Sequence, residues 1–379
     1  MKKKIAILTL PLGKNYGGLI QNYALQEFLK KNNFEVTTIN RRSNKKSLFR
    51  SFFSFVKNDI VKKKILRNKV KFTKSEEEII YSNITGFINK YINITEVINS
   101  NKKLKKTFAR NNYHAVITGS DQIWRPAYSN FLYNFYLDFL KDINIIKMSY
   151  AASFGTEDWE YSNTEERECK RLIKKFNYIS VREHTGKYLS KNKFGVTPEV
   201  VLDPALLLTA NEYIKLFKDL NFKRDGLYNY VLDKNSKKNE FINNISKFLN
   251  LEVFSNQPKI AYNKISKNND IPDYKYPSIE SWLKSFHDAS FIITDSFHGT
   301  VFAILFEKPF LSLVNNERGA SRFTSLLSSL SLENRLVKDL NTFDFSIISQ
   351  EINYESVNKK LDELRIRSYD FLKNLKSND

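Results

Sequence analysis

The segment 291–306 constrains the fold of this chain more than any other stretch of its sequence. Four β-prone residues lead into a short polar turn that carries Ser296 and His298, and apolar residues at helical spacing begin directly after Gly299. The pattern predicts a strand, a turn and a helix. In an open parallel α/β sheet, ligands bind where a strand ends and the next helix begins, and the free N–H groups of that helix favour an anion. We therefore expect His298 to lie at an anion-binding site.

A second block follows at 307–313 (EKPFLSL) and ends in a loop that contains Arg318. This pattern is typical of the next strand. A histidine and an arginine at the mouths of neighbouring strands indicate a site for a small anion with two negative charges.

Strands and helices alternate along the whole chain, which favours an α/β fold with a parallel sheet in each half. The chain has 379 residues and is long enough for two such domains. We expect an N-terminal domain at 1–207, a C-terminal domain at 208–350 and a terminal helix at 351–379.

The first predicted strand, 5–10, is followed by a glycine-containing loop at 13–18 and by a helix from about Leu19 to Lys31. The loop lacks the G-x-G-x-x-G spacing of a dinucleotide site. Its glycines permit a ligand to approach the backbone closely, but a tight strand-to-helix turn explains them equally well.

Cysteine content, hydropathy and charge exclude several classes of protein. Cys169 is the only cysteine, so we expect neither a disulfide framework nor a metal site. No apolar stretch approaches the roughly 20 residues that span a bilayer, and the N-terminal apolar run is shorter than that of a signal peptide. The net charge of +20 raises the possibility of a nucleic-acid partner, but no known nucleic-acid-binding motif supports one. We expect a cytoplasmic protein that binds no nucleic acid.

Residues 43–91 differ in composition from the rest of the N-terminal half, because phenylalanines are interleaved with lysines and arginines. This is typical of one or two amphipathic helices inserted after the second strand. Such a helix can lie on an anionic membrane. Alternatively, the insert forms a flap whose phenylalanine face packs on the first domain.

Seven blocks of the sequence resemble those of polysaccharide pyruvyl transferases, and they occur in the family's order over nearly the whole chain. Each block alone is weak, whereas together they are specific. The blocks are 15–26 (NYGGLIQNYALQ), 118–124 (TGSDQIW), 149–155 (SYAASFG), 181–183 (VRE), 202–204 (LDP), 294–300 (TDSFHGT) and 318–323 (RGASRF).

The resemblance implies two Rossmann-like domains with parallel sheets facing a central cleft, as in GT-B glycosyltransferases. It also implies the transfer of pyruvate from phosphoenolpyruvate to two hydroxyls of a sugar as a cyclic ketal, with release of phosphate. The acceptor would be a glycan or lipid-linked oligosaccharide of capsule, exopolysaccharide or cell-wall synthesis, so peripheral contact with the inner membrane face is expected. Phosphoenolpyruvate is the donor substrate, and no further cofactor is implied.

The resemblance further implies that Arg182, His298 and Arg318 bind phosphoenolpyruvate, although other members carry lysine at the position of Arg318. Relatives can carry an arginine two residues before the histidine, where this chain has Ser296. We add Ser296 and Gly299 to the donor side. The residues assigned to the acceptor side are Asn15, Tyr16, Gly17, Gly18, Gln21 and Trp124.

The chemistry of these side chains fits the reaction. Addition to the double bond of phosphoenolpyruvate needs a proton on the methylene carbon, which His298 can donate near neutral pH. The acceptor hydroxyl must lose a proton, and Asp121, at the mouth of a predicted strand, is our candidate for the base. A cap on the following helix is the alternative role for Asp121.

Two other functions stay open from the sequence. A GT-B glycosyltransferase that uses a nucleotide sugar would share the fold and a basic site in the C-terminal domain. A basic scaffold on a membrane surface or a nucleic acid would use the insert and would need no catalytic residue.

Overall fold

The structure is a computed structural model that describes residues 2–43, 72–260, 270–314 and 319–377. Arg318, one of the expected donor ligands, lies outside the described residues, as does the part of the insert between 44 and 71. All other expected site residues lie within them.

Two parallel sheets form the framework, which confirms the predicted α/β fold. The first sheet contains β1 (Lys4–Leu8), β2 (Glu35–Thr38), β3 (Ala115–Gly119), β4 (Ile146–Ala152), β5 (Tyr178–Val181) and β6 (Glu199–Val200). The second contains β7 (Leu227–Tyr230), β8 (Val253–Phe254), β9 (Phe291–Thr294), β10 (Phe310–Leu313) and β11 (Leu336–Val337). The strand orders are β2-β1-β3-β4-β5-β6 and β11-β10-β9-β7-β8. Every residue of β3, β4, β9 and β10 is buried, as expected for parallel strands covered on both faces.

Helices connect the strands in both sheets. They are α1 (Tyr16–Lys31), α2 (Lys74–Ile80), α3 (Ser82–Tyr91), α4 (Asn101–Asn111), α5 (Leu132–Phe135), α6 (Asn163–Ile173), α7 (His184–Leu189), α8 (Ala210–Phe217), α9 (Ser236–Leu249), α10 (Ile279–Asp288), α11 (Phe297–Leu305), α12 (Ser321–Ser329) and α13 (Tyr354–Lys373). Within the described ranges, none of them combines the length and the apolar character that crossing a membrane requires.

Helix α1 begins at Tyr16, earlier than the apolar spacing predicts. Asn15 is the last residue with an extended backbone, so Gly17 and Gly18 belong to the first turn. The periodic pattern starts only at Leu19, because the two glycines add no apolar side chain to it. The start of α1 therefore presents bare backbone on the side of the glycines.

An apolar cluster crosses from the first half of the chain to the second. Tyr16 is buried against Trp282 of α10, with ring centroids 5.3 Å apart, and its hydroxyl donates to the carbonyl oxygen of Pro277. Leu19 and Ile20 belong to the same cluster. These contacts hold the start of α1 against the second half of the chain.

The terminal helix α13 also joins the two halves. Leu361 lies in the cluster that contains α11 and α12, whereas Leu372 lies in the core of the first sheet. The hydroxyl of Ser368 accepts a hydrogen bond from the N–H of Leu202 at 3.0 Å. The helix therefore runs from the second half back to the first.

The described end of the insert packs as a flap on α1. Ile84 and Phe87 of α3 are each 2% exposed, and the ring of Phe87 lies edge-on to Tyr23 with centroids 5.8 Å apart. The flap interpretation therefore holds for α3. The phenylalanines between 44 and 71, on which the membrane interpretation depends, lie outside the described residues.

Candidate active site

His298 lies in the first turn of α11, directly after β9, as the sequence predicts. Ser296 caps this helix, because its hydroxyl accepts a hydrogen bond from the N–H of Gly299 at 3.4 Å. A Cβ on Gly299 would lie 3.0 Å from Cβ of Thr294, so glycine lets the helix pack closely on the strand. Ser296 and Gly299, which we expected to bind the donor, thus hold the turn that presents His298.

Asp203 joins Arg182 of the first half to His298 of the second. Arg182 follows β5 and donates a hydrogen bond from Nη1 to Oδ2 of Asp203 at 2.6 Å. Nε2 of His298 lies 3.6 Å from Oδ1 of the same carboxylate. The side chains are 2% exposed for Arg182, 0% for Asp203 and 7% for His298. The three groups therefore form one buried cluster around the carboxylate of Asp203.

The neighbouring charges set the ionisation of this cluster. Burial by itself would raise the pKa of Asp203, but the adjacent His298 and then Arg182 lower it well below the ordinary value of 3.8. Burial by itself would lower the pKa of Arg182, but Asp203 and Glu183 more than offset this and raise it. Arg182 and Asp203 are therefore an ion pair at neutral pH.

The ring of His298 lies against the first turn of α1. A Cβ placed on Gly17 would lie 2.6 Å from Cγ of His298 and closer still to Nδ1. No other residue type could occupy position 17 with the ring in this place. Gly17, which we assigned to the acceptor side, is therefore the contact between α1 and His298.

A second pair of glycines brings α12 to the same region. Gly319 has a φ of +91°, and a Cβ there would lie 2.8 Å from the carbonyl carbon of Gly155. Helix α12 starts just after it and carries Arg322, whose Cζ lies 5.6 Å from the centre of the Phe297 ring. Cζ of Arg182 lies 4.7 Å from the centre of the same ring. Two buried arginines therefore share one aromatic neighbour.

One edge of the Arg182 guanidinium is buried without a hydrogen-bond partner among the described residues. This edge consists of Nε and Nη2. An oxygen of Glu183 lies 3.8 Å from Nε, which is beyond hydrogen-bond distance. An arginine edge of this kind can bind a carboxylate or a phosphate through two parallel hydrogen bonds. Buried donors are normally bonded, so this edge indicates a site for an anion.

An open pocket of about 340 Å³ lies at the first turn of α1, beside Gly17. Asn15, Gly18, Gln21 and Asp121 line it, together with residues 10–13 and Tyr128. Gln21 is 2% exposed, and neither atom of its side-chain amide makes a hydrogen bond within the described residues. The pocket thus contains an amide that can both donate to and accept from a polar ligand.

Asp121 provides the carboxylate of this pocket. It accepts hydrogen bonds from Nδ2 of Asn15 at 3.2 Å and from the N–H of Gln122 at 2.9 Å. Its φ of 66° is unusual for a residue other than glycine, and such backbone often occurs at functional sites. It caps no α-helix, since the next helical element is the short 3₁₀ turn Pro126–Tyr128.

The structure does not bring Tyr16 and Trp124 to this pocket. Tyr16 lies in the apolar cluster with Trp282 described above. Trp124 is fully buried and stacks on Tyr136, with ring centroids 5.2 Å apart. Both aromatic side chains support the fold around the site, and their assignment to the acceptor stays a prediction.

Asp203, Glu183 and Arg322 belong to the site, although the sequence did not single them out. Each lies in one of the seven blocks quoted above, so the resemblance of the blocks to the family could have indicated these residues. Glu183 links two blocks, because its Oε1 accepts a hydrogen bond from the N–H of Phe154 at 3.0 Å. In the part of the chain that the structure describes, no three side chains of the metal-binding types could hold a metal ion together.

Comparison with known families identifies one match. A sequence model of the family described as polysaccharide pyruvyl transferase matches residues 15–317, which is most of the chain. A search of curated proteins gave no match.

Similar solved structures share the fold at low sequence identity. A putative UDP-N-acetylglucosamine 2-epimerase from Listeria monocytogenes has a TM-score of 0.53 and 12% identity, covering 98% of this chain and 96% of its own. Arabidopsis thaliana UGT89C1, complexed with UDP-L-rhamnose, has a TM-score of 0.53 and 8% identity, covering 99% and 98%. A glycosyltransferase from Rickettsia africae has a TM-score of 0.51 and 12% identity over 100% of both chains. Such identities show a shared GT-B-like fold alone.

Gly17→Ala is expected to destabilise the protein by about 1–3 kcal/mol, because the new methyl group overlaps His298 and forces one of them to move. Gly86→Ala, in the middle of α3, is the matched control, since a Cβ there meets nothing within 4 Å. This control should raise the stability by up to about 1 kcal/mol. Denaturant unfolding compares the two. Equal effects at both glycines would show that the contact with His298 is not tight.

Asp203→Asn is expected to lower the free energy of unfolding at pH 7 by about 3–5 kcal/mol, because Arg182 then stays buried without its counter-ion. Folding lowers the pKa of Asp203, so its stabilisation is fully present above 3.8 and is lost as the pH falls below that value. The stability difference between wild type and variant should therefore shrink in acid. A difference that is the same at pH 3 and pH 5 would contradict the depressed pKa.

Proposed function

The chain belongs to the polysaccharide pyruvyl transferase family, and on this premise we propose that it transfers pyruvate from phosphoenolpyruvate to two hydroxyls of a sugar as a cyclic ketal. The acceptor is a glycan or a lipid-linked oligosaccharide of capsule, exopolysaccharide or cell-wall synthesis. Membership of a transferase family supports catalysis rather than a scaffold without catalytic residues.

The observation that carries this proposal is the open edge of Arg182 beside His298. Nε and Nη2 of Arg182 are buried and unbonded within the described residues, and Asp203 holds the same guanidinium next to the histidine. Phosphoenolpyruvate has two anionic groups and a double bond that must be protonated. The two N–H groups of the Arg182 edge can bind one anionic group, and the neighbouring imidazole of His298 can protonate the double bond.

His298 delivers the proton in the proposed first step. The proton adds to the methylene carbon of phosphoenolpyruvate, and positive charge develops at the neighbouring carbon that bears the phosphate oxygen. Asp203, 3.6 Å from Nε2, stabilises the charged imidazole before this transfer. The same carboxylate orients the ring, in the way that a buried aspartate orients the histidine of a catalytic triad.

Asp121 acts on the acceptor. One sugar hydroxyl forms a bond to the cationic carbon while its proton passes to Asp121. The second hydroxyl then attacks the same carbon, the bond to the phosphate oxygen breaks, and the proton of that hydroxyl passes to the departing phosphate. Gln21 and Asn15 line the pocket of Asp121, and the amide of Gln21 can bind the hydroxyl pair.

A glycosyltransferase that uses a nucleotide sugar is the alternative with the same fold. The solved structures described above are at most 12% identical to this chain, so they show a shared fold and do not identify the substrate. The family match favours pyruvyl transfer. The two functions differ in donor, since only the glycosyltransferase consumes a nucleotide sugar.

We also propose that the enzyme meets its acceptor at an anionic membrane face. Helix α4 supports this, because its lysines at 102, 103, 105 and 106 are exposed and it has no acidic residue. Each lysine near an anionic surface contributes about 1 kcal/mol. Co-sedimentation with anionic vesicles at low salt tests the idea, and a protein that stays in the supernatant would contradict it.

His298→Ala is expected to lower phosphoenolpyruvate-dependent phosphate release by about 10²–10⁴-fold, because general acid–base groups contribute that much. The assay uses purified protein, phosphoenolpyruvate and glycan extracts of capsule-forming bacteria, with nucleotide sugars as the alternative donor. His287→Ala is the matched control, since His287 has a 40% exposed side chain bonded to Asp288. A folded His298→Ala enzyme that keeps more than about a tenth of the activity would exclude the acid role.

A further inference from the structure

The strand order of each sheet defines one crevice where a ligand is expected. In the first sheet the order reverses at β1, which has β2 on one side and β3 on the other. In the second sheet it reverses at β7, which has β8 on one side and β9 on the other. Loops that leave the carboxyl ends of two such strands separate, and ligands bind in the crevice between them. The two crevices of this chain therefore lie between β1 and β3 and between β7 and β9.

The crevice of the first sheet is open. It is the pocket of about 340 Å³ described above, whose wall contains residues 10–13 from the loop after β1 and Asp121 from the loop after β3. The proposed function places the acceptor there. The crevice of the second sheet, in contrast, has no role in the mechanism above.

A side chain of the protein itself occupies the crevice of the second sheet. Asp295 follows β9 directly, and its side chain is 0% exposed. Its carboxylate accepts hydrogen bonds from two N–H groups of the loop after β7, that of Leu232 at 2.7 Å and that of Asp233 at 3.1 Å. Nζ of Lys238, in the first turn of α9, donates to the same carboxylate at 2.8 Å. Asp295 therefore ties together the two loops between which a ligand would bind.

The same three donors would suit a phosphate group. Two adjacent backbone N–H groups and a lysine ammonium converge on one pair of oxygens, which is how phosphate-binding loops hold the phosphates of a nucleotide. The carboxylate of Asp295 takes the place that two phosphate oxygens would occupy. An incoming phosphate would have to displace a side chain that is attached to the end of β9, and it would meet a like charge.

We propose that Asp295 determines donor specificity, because its carboxylate closes the crevice of the second sheet to the diphosphate of a nucleotide sugar. The inference rests on the proposed function, in which the donor is phosphoenolpyruvate. That donor needs no group in this crevice, since Arg182 binds it from the end of the first sheet. A fold shared with enzymes that use other donors gains specificity when a fixed charge repels the wrong one.

The test is equilibrium titration with inorganic pyrophosphate, the phosphate part of a nucleotide sugar. Saturating phosphoenolpyruvate is present, so that the site at Arg182 is filled. Asp295→Ala removes the carboxylate and leaves its three donors in place. This variant should bind pyrophosphate at least about 10-fold more tightly than the wild type, as expected for one charge-assisted hydrogen bond.

Asp288→Ala is the matched control. The carboxylate of Asp288 also accepts from a lysine, Lys284, at 3.0 Å and from a backbone N–H, that of Arg224, at 3.3 Å. Asp288 ends α10 just before β9 begins, so it lies at the amino edge of the sheet, opposite the crevice. This variant should bind pyrophosphate no more tightly than the wild type.

The outcomes separate the role of Asp295 from the proposed function. Wild-type protein that binds no phosphoenolpyruvate contradicts the proposed function, and the pyrophosphate titration without it then decides on Asp295. Equal affinity of all three proteins for pyrophosphate overturns the inference. A purely structural Asp295 would lower the melting temperature of its variant with no gain in pyrophosphate affinity.

Asp295→Ala that does not fold in ordinary buffer is refolded in phosphate and in potassium chloride of equal ionic strength. Phosphate that binds only the folded state should restore folding by mass action. Recovery in phosphate alone supports the inference. Equal recovery in both salts, or failure in both, overturns it.

Discussion

The buried carboxylate of Asp203 is the interaction on which the rest of the site depends. It accepts a 2.6 Å hydrogen bond from Arg182 at the end of the first sheet and lies 3.6 Å from His298 at the start of α11. Without it the buried guanidinium of Arg182 would lose its hydrogen-bonded counter-ion. Since Arg182 and His298 follow strands of different sheets, the carboxylate also links the two halves of the chain.

Two close backbone contacts allow this arrangement. Gly17 admits the ring of His298 against α1, and Gly319 admits the backbone of Gly155 beside the start of α12. Each contact leaves no room for a Cβ, so the sequence is constrained at these positions by packing rather than by chemistry. The contact at Gly17 places His298 against the same turn of α1 that lines the pocket of Asp121.

The sequence could predict the parts of the site that depend on local patterns. His298 follows a strand, and the carboxyl ends of parallel strands are where ligands bind, so the strand-to-helix pattern indicated it. Arg182 was indicated by the resemblance to the family. Asp203 was harder to find, because its two partners are distant along the chain and no local pattern pairs them. Tyr16 and Trp124 lie beside glycines and polar residues in sequence, yet large aromatic side chains gain most by burial, and both are in the core. The predicted start of α1 was too late in the sequence, because Gly17 and Gly18 contribute no apolar side chain to the periodic pattern.

A structure of the protein with phosphoenolpyruvate tests the central claim most directly. It should show one anionic group of the donor bonded to Nε and Nη2 of Arg182, with the methylene carbon facing the ring of His298. Asp203 should keep its hydrogen bond to Arg182 and its contact with His298. Donor bound away from Arg182, or with its methylene carbon turned from His298, would contradict the claim that the cluster around Asp203 is the donor site.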